Sequence, residues 1–202
     1  MRQFGLLTRP EQDIVMTLII RMTLICGWTL FASVARAADA PDTIEVSSYA
    51  FQHRGIIPHV YSNYGDNRSI DIYWSNLPAG TVELALICDD PVVGMSQPFV
   101  HWVVYNIPAT ALGLPEAMPT ESQPAVQGLD GLINGLSGVG RPGYFGPRPP
   151  LDGLSHEYHF RVYAIDTDLD LPVGLDKEGL LEAIEGHVLA TGLLVGNFQR
   201  TR

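Results

Sequence analysis

Residues 82–108, VELALICDDPVVGMSQPFVHWVVYNIP, hold two apolar runs on either side of a polar break. Residues 82–88 read as a buried strand that stops at Asp89-Asp90-Pro91. Residues 99–107 are dense in β-branched and aromatic residues and predict a second strand. Side chains alternate along a strand, which places Phe99, His101, Val103, Tyr105 and Ile107 on one face. His101 is the odd member of that set. With Asp90 ending one strand and His101 near the start of the next, a carboxylate and an imidazole can meet at one end of a sheet. The competing reading is a core histidine bonded to backbone, beside an unrelated turn carboxylate. Cys88 reads as an inert packing residue on the first strand.

Around this pair the chain is β-rich. Residues 44–46 and 49–51 predict short strands, and residues 70–74 another. Residues 53–69 form a loop rich in Gly, Asn and Tyr, and residues 76–80 a turn. Residues 109–150 are dominated by Gly, Pro and small side chains, which predicts a long connection with little regular structure. Residues 158–165, YHFRVYAI, restore the strand pattern. If that strand starts two residues early, His156 projects with Tyr158, Phe160 and Val162. One helix is predicted, capped by Asp176, with Leu180, Leu181, Ile184, Val188 and Leu189 as its apolar stripe. Residues 193–198 close the chain as a last strand. There is no internal repeat and no second composition regime.

The first 37 residues read as a targeting segment. Arg21 precedes an apolar run over residues 22–34, which ends in Ala35-Arg36-Ala37 before Ala38. A positive flank, a short apolar core and an A-x-A site are the pattern of a secretory signal peptide. The core is shorter than the roughly 20 residues a membrane span needs. Met16 and Met22 are alternative starts, and Cys26 would leave with the signal. The expectation is a signal peptide over residues 1–37 and a single domain over residues 38–202, periplasmic or secreted, with no transmembrane span. Cys88 is then the only cysteine, so no intrachain disulfide is possible. Residues 38–202 carry 20 Asp and Glu against 8 Lys and Arg. Such a surface repels nucleic acid and anionic lipid. An anionic ligand must be held locally, by histidines and backbone N–H groups.

Several motif matches fail on context. Gly138-Val139-Gly140-Arg141-Pro142-Gly143 matches G-x-G-x-x-G, but Pro142, Pro147, Pro149 and Pro150 forbid the helix a dinucleotide site requires. Asp166, Asp168 and Asp170 have the first spacings of a calcium loop, yet Leu171 and Lys177 stand where its Gly and closing Glu belong. Gly135-Leu136-Ser137-Gly138-Val139 fails as a nucleophile elbow at its last position. His101, His156 and Asp90 are a chemically possible metal set, but their wide separation gives it little support, and no metal or cofactor is expected.

Taken together, Asp90-Pro91, His101-Trp102, Asn106-Ile107-Pro108, Gly143-Tyr144-Phe145-Gly146-Pro147 with Pro149-Pro150, His156-Glu157-Tyr158 and Tyr163-Ala164-Ile165-Asp166 carry a resemblance. In this order they resemble the phosphatidylethanolamine-binding protein family, in its bacterial Raf-kinase-inhibitor-like branch. The resemblance runs from about residue 44 to residue 198. It implies a mainly β fold, with a large antiparallel sheet, a smaller second sheet and a C-terminal helix. It also implies a small pocket for phosphate groups and phosphorylated headgroups. Carried over, the pocket acid is Asp90, the histidines are His101 and His156, Gly146 and Pro147 form the wall, Tyr158 follows the second histidine and Tyr144 is a neighbour. Imidazolium and backbone N–H groups would donate to the anion, with Asp90 orienting a histidine and keeping it charged. The chain departs from the family pattern at Val92-Val93-Gly94, Glu157 and Ser69-Ile70, and in a longer stretch between Pro150 and His156.

Three functions follow. The first is an exported protein that binds a small anion and is not an enzyme. The second is a protein-interaction module that inhibits a protease or other enzyme. The third is a hydrolase using His101, His156 and Asp90, ranked last because no nucleophile lies in a recognised context.

Overall fold

The computed structural model describes Met1, residues 43–91 and residues 97–201. Apart from Met1, the expected signal peptide with Cys26 lies outside the described residues, as does Val92-Val93-Gly94. Nine strands and one α-helix are found among the described residues. A three-stranded sheet is ordered β1 (Glu45–Ser47), β3 (Ile72–Ser75), β6 (Gly113–Leu114). A six-stranded sheet runs β2 (Gly55–Ile56), β9 (Val188–Phe198), β8 (His156–Ile165), β4 (Glu83–Asp90), β5 (Phe99–Pro108), β7 (Ile133–Asn134). All its pairings are antiparallel except β2 with β9. The chain is therefore mainly β with a large and a small sheet, as the resemblance implied.

The central strands β4 and β5 are buried over most of both faces, which is why they read as apolar runs rather than alternating ones, whereas β8 alternates through His159 and Arg161 and is buried on both faces from Val162 onward. One face packs toward the small sheet, where Ile72 and Trp74 join Leu84, Leu86, Cys88, Trp102, Val104, Phe160 and Val162. The other face meets α1 (Lys177–Ala183) through Ala85, Ile87, Val103, Tyr105, Tyr163, Leu180 and Ile184.

Two bulges in β5 overturn the expected shared face. Cys88 pairs with Trp102 and Asp89 with Val100, so His101 is the extra residue between them. The bulge turns His101 onto the Trp102 side, against Tyr158, while Val103 and Tyr105 face the helix. A second shift lies between Leu84↔Ile107 and Leu86↔Val104. There Asn106 adopts φ 53°, in the left-handed region that Asn tolerates, and Ile107 crosses to the first core.

Other local expectations also change. Residues 49–51 are not a strand, because side chains take the backbone donors: Tyr49 N–H donates to Asp71 Oδ2 at 2.9 Å and Ala50 N–H to Ser48 Oγ at 3.0 Å. Asp176 does cap the helix, its Oδ1 accepting from Gly179 N–H at 2.9 Å. The helix stops at Ala183, so of the expected stripe only Leu180 and Leu181 lie within it. Gly186 takes φ 84°, and Val188 and Leu189 belong to β9, whose ten-residue ladder with β8 outcompetes further helix. The helix thus precedes the last strand. The connection over residues 109–150 holds only β6, β7 and an isolated bridge, Leu136 with Pro142.

Candidate functional site

The ends of β4, β5 and β8 meet at one cavity of about 380 Å³ on the face that carries Tyr158. Asp90, His101, His156 and Tyr158 all line it, although they lie up to 68 residues apart in sequence. Antiparallel pairing of β4 with both β5 and β8 brings the end of the first strand beside the starts of the others.

His156 and Asp90 form a buried ion pair. Nδ1–H of His156 donates to Asp90 Oδ2 at 2.7 Å, with both side chains under one-tenth exposed. Burial raises the Asp90 pKa, against the lowering effect of the His156 hydrogen bond and charge. The remaining ring nitrogen of His156, Nε2, stands 3.8 Å from Asp152 Oδ2. Asp152 belongs to the longer stretch before β8, and its Oδ1 also accepts from Leu154 N–H at 2.9 Å.

His101 is held differently from expectation. Its Nδ1–H donates to the Phe145 carbonyl at 2.6 Å, and Phe145 N–H donates back to the His101 carbonyl at 2.8 Å. The ring lies between Phe99 at 4.8 Å and Tyr158 at 4.9 Å. Burial brings its pKa down to about 4, so the imidazole is neutral at neutral pH. The histidine that Asp90 orients is His156, the backbone of Phe145 fixes His101, and the expected charge on His101 is corrected.

Tyr158 is buried beside these groups, and its hydroxyl reaches only the backbone of Arg148, outside normal hydrogen-bond geometry. A buried hydroxyl so weakly held at a cavity wall can donate to a group that enters the cavity. Gly146 and Pro147 stand behind the wall rather than on it; the lining runs through Phe145, Arg148, Pro149 and Pro150. Gly146 shapes that turn by close approach, since a Cβ there would sit 2.2 Å from the Tyr61 carbonyl oxygen. Its N–H donates to Asn67 Oδ1 at 2.8 Å. Tyr144 points elsewhere: its hydroxyl donates to the Tyr61 carbonyl at 3.0 Å, and it lines an adjoining cavity.

Phe99, Phe145, Arg148 and Asp152 also line the site and escaped the sequence reading. The unusual length before His156 was the one available signal for Asp152. Among the described residues, no group of three or more His, Cys, Asp and Glu is placed to hold a metal ion, and no helix is long and apolar enough to cross a membrane. Cys88 is buried and its thiol pKa is pushed well up by burial, which leaves it unreactive.

A two-sheet β fold with an acid–histidine cavity at the strand ends defines a class, and comparison with known proteins names it. Residues 47–199 match the family described as phosphatidylethanolamine-binding protein, and the chain belongs to that family. The UPF0098 protein of Methanothermobacter thermautotrophicus is 43% identical over 157 residues, covering 78% of this chain and 99% of its own length. A UPF0098 protein of Pyrococcus horikoshii is 37% identical over 158 residues, 78% of this chain and 77% of its own length. The crystal structure of a putative homolog from Chlamydia trachomatis superposes with TM-score 0.68 at 32% identity, over 79% of this chain and 99% of that one. Escherichia coli YbcL shares the fold, with TM-score 0.70 at 23% identity over 78% of this chain and 99% of its own.

Proposed function

We propose that the protein binds a small phosphate-type anion in the cavity of Asp90, His101, His156 and Tyr158, without catalysing a reaction. The observation that carries this reading is the buried Asp90–His156 pair in the cavity, with the Tyr158 side chain on the same wall. A phosphate oxygen would take the Tyr158 O–H and, when His156 is protonated, its Nε2–H. His101 supports the wall through Phe145, and it adds a donor only if binding draws a proton onto it. Among the described residues that line the cavity there is no serine, threonine or cysteine to act as a nucleophile.

Calorimetry with inorganic phosphate and phosphoethanolamine tests the reading. Binding that falls about tenfold in His156→Ala and less in Asp90→Asn supports it. Folded variants that bind as the wild type does would end it. Turnover of chromogenic phosphate or acyl esters would instead favour a hydrolase. The protein is also proposed to be exported, on the strength of Ala35-Arg36-Ala37 after the apolar run. N-terminal sequencing of the periplasmic product should begin at Ala38.

A further inference from the structure

We propose that the cavity on the far side of Phe145 is a second anionic subsite, so that the protein takes ligands bearing two anionic groups. This rests on the anion-site reading above. The second cavity, about 440 Å³, shares Val139, Phe145 and Arg148 with the first. Its polar walls are Asn63, Asn67, Thr120, Ser137, Arg141 and Arg148, and no carboxylate is among the described residues that line it.

The arginines are unusual for this chain, which has 22 acidic against 12 basic residues. Arg54 pairs with Glu157, Arg68 with Asp66 and Glu116, and Lys177 with Asp89. Arg161 and Arg200 also have partners. Among the described lysines and arginines, Arg141 and Arg148 remain without an acidic or aromatic partner, and both are exposed at this one cavity. In a protein with acid to spare, two guanidinium groups left unpaired together form a local positive field against the overall charge.

The backbone that carries Arg141 is fixed independently of its side chain. Its carbonyl accepts from Ser137 N–H and Ser137 Oγ–H, each at 2.9 Å. Gly140 N–H closes the turn onto the Ser137 carbonyl at 2.8 Å. The first cavity, by contrast, holds Asp90 and Asp152 beside His156 and Arg148. A lone anion there meets two carboxylates. A second anionic group reaching past Arg148 meets only cations and neutral donors, and the planar fork of an arginine suits both phosphate and carboxylate.

The test uses the matched pair fructose 6-phosphate and fructose 1,6-bisphosphate, by calorimetry at low ionic strength. The bisphosphate is expected to bind about fivefold tighter or better. Arg141→Gln, at an exposed position outside the first cavity, should bring the ratio close to one and leave the monophosphate affinity unchanged. A parallel arm uses phosphatidylcholine vesicles containing phosphatidylserine, whose headgroup has two anionic groups, or phosphatidylglycerol, which has the same net charge and one. A preference for phosphatidylserine that is lost in Arg141→Gln assigns the subsite to a lipid headgroup. A gain confined to the soluble bisphosphate assigns it to a free ligand. No gain in either arm, or a gain that survives Arg141→Gln, overturns the proposal. If the monophosphates bind and depend on His156 while the second group adds nothing, only this inference falls. If no monophosphate binds, the anion-site reading falls and this goes with it.

Discussion

Asp152 holds a carboxylate 3.8 Å from the one His156 nitrogen left free to meet a ligand. An incoming phosphate must share that nitrogen with it, and like charges this close repel. Asp152→Asn is therefore expected to strengthen phosphate binding about two- to fivefold, measured by calorimetry, because the pair is one-third exposed on the Asp152 side and screened by solvent. An unchanged affinity would show that Asp152 turns away when ligand arrives. His101 makes a prediction about stability. Its pKa falls from the ordinary 6.5 to about 4 on burial, so between those values the unfolded chain takes up a proton that the folded chain refuses. The contribution is fully present above about pH 6.5 and is lost as pH falls toward 4. Melting curves across that window should slope less steeply with pH in His101→Gln than in the wild type.

At the scale of the element, β5 owes its usefulness to its irregularities. A regular strand would send His101 to the helix face with Val103, away from Tyr158. The extra residue in the ladder lets His101 and Trp102 lie on the same side, and the reciprocal hydrogen bonds with Phe145 hold the bulge in place. The second bulge depends on Asn106 at φ 53°. Asn106→Gly should cost little, whereas Asn106→Val should cost about 1–3 kcal/mol in urea unfolding, since a β-branched residue is strained there. The short helix depends on its cap. Asp176→Ala should lower stability by about 1 kcal/mol. A loss much smaller than that would mean that packing of Leu180 and Ile184 holds the helix unaided.

At the scale of the whole molecule, three strand ends and one long connection converge on the site. The connection is tied down where it forms the wall: Phe145 N–H reaches the His101 carbonyl and Gly146 N–H reaches Asn67. Hydrogen exchange should be slow at Phe145 and Gly146 and fast over residues 119–128, where few amides find partners. Exchange that is fast at both would show that the wall forms only around a ligand. Cys88, in the middle of the core, should resist alkylation until the protein unfolds.

The residue pattern by itself determined the central strands and the Asp176 cap, while the company of Asp90, His101, His156 and Tyr158 came from the resemblance to the phosphatidylethanolamine-binding protein family. Apolar runs and a strand period are local properties, and they survive reading one residue at a time. Only the tertiary structure decided which face His101 takes, because a bulge arises from pairing two strands and leaves no mark on one. The same holds for the partner of Asp90, since strand order set His156 beside it and left His101 to the backbone of Phe145. The charge of His101 followed from burial, which no single position encodes. Tyr49-Ala50-Phe51 and Val188-Leu189 were misjudged for a related reason. Asp71 and Ser48 capture the backbone donors of the first, and the ladder with β8 claims the second, so distant partners outweighed local propensity.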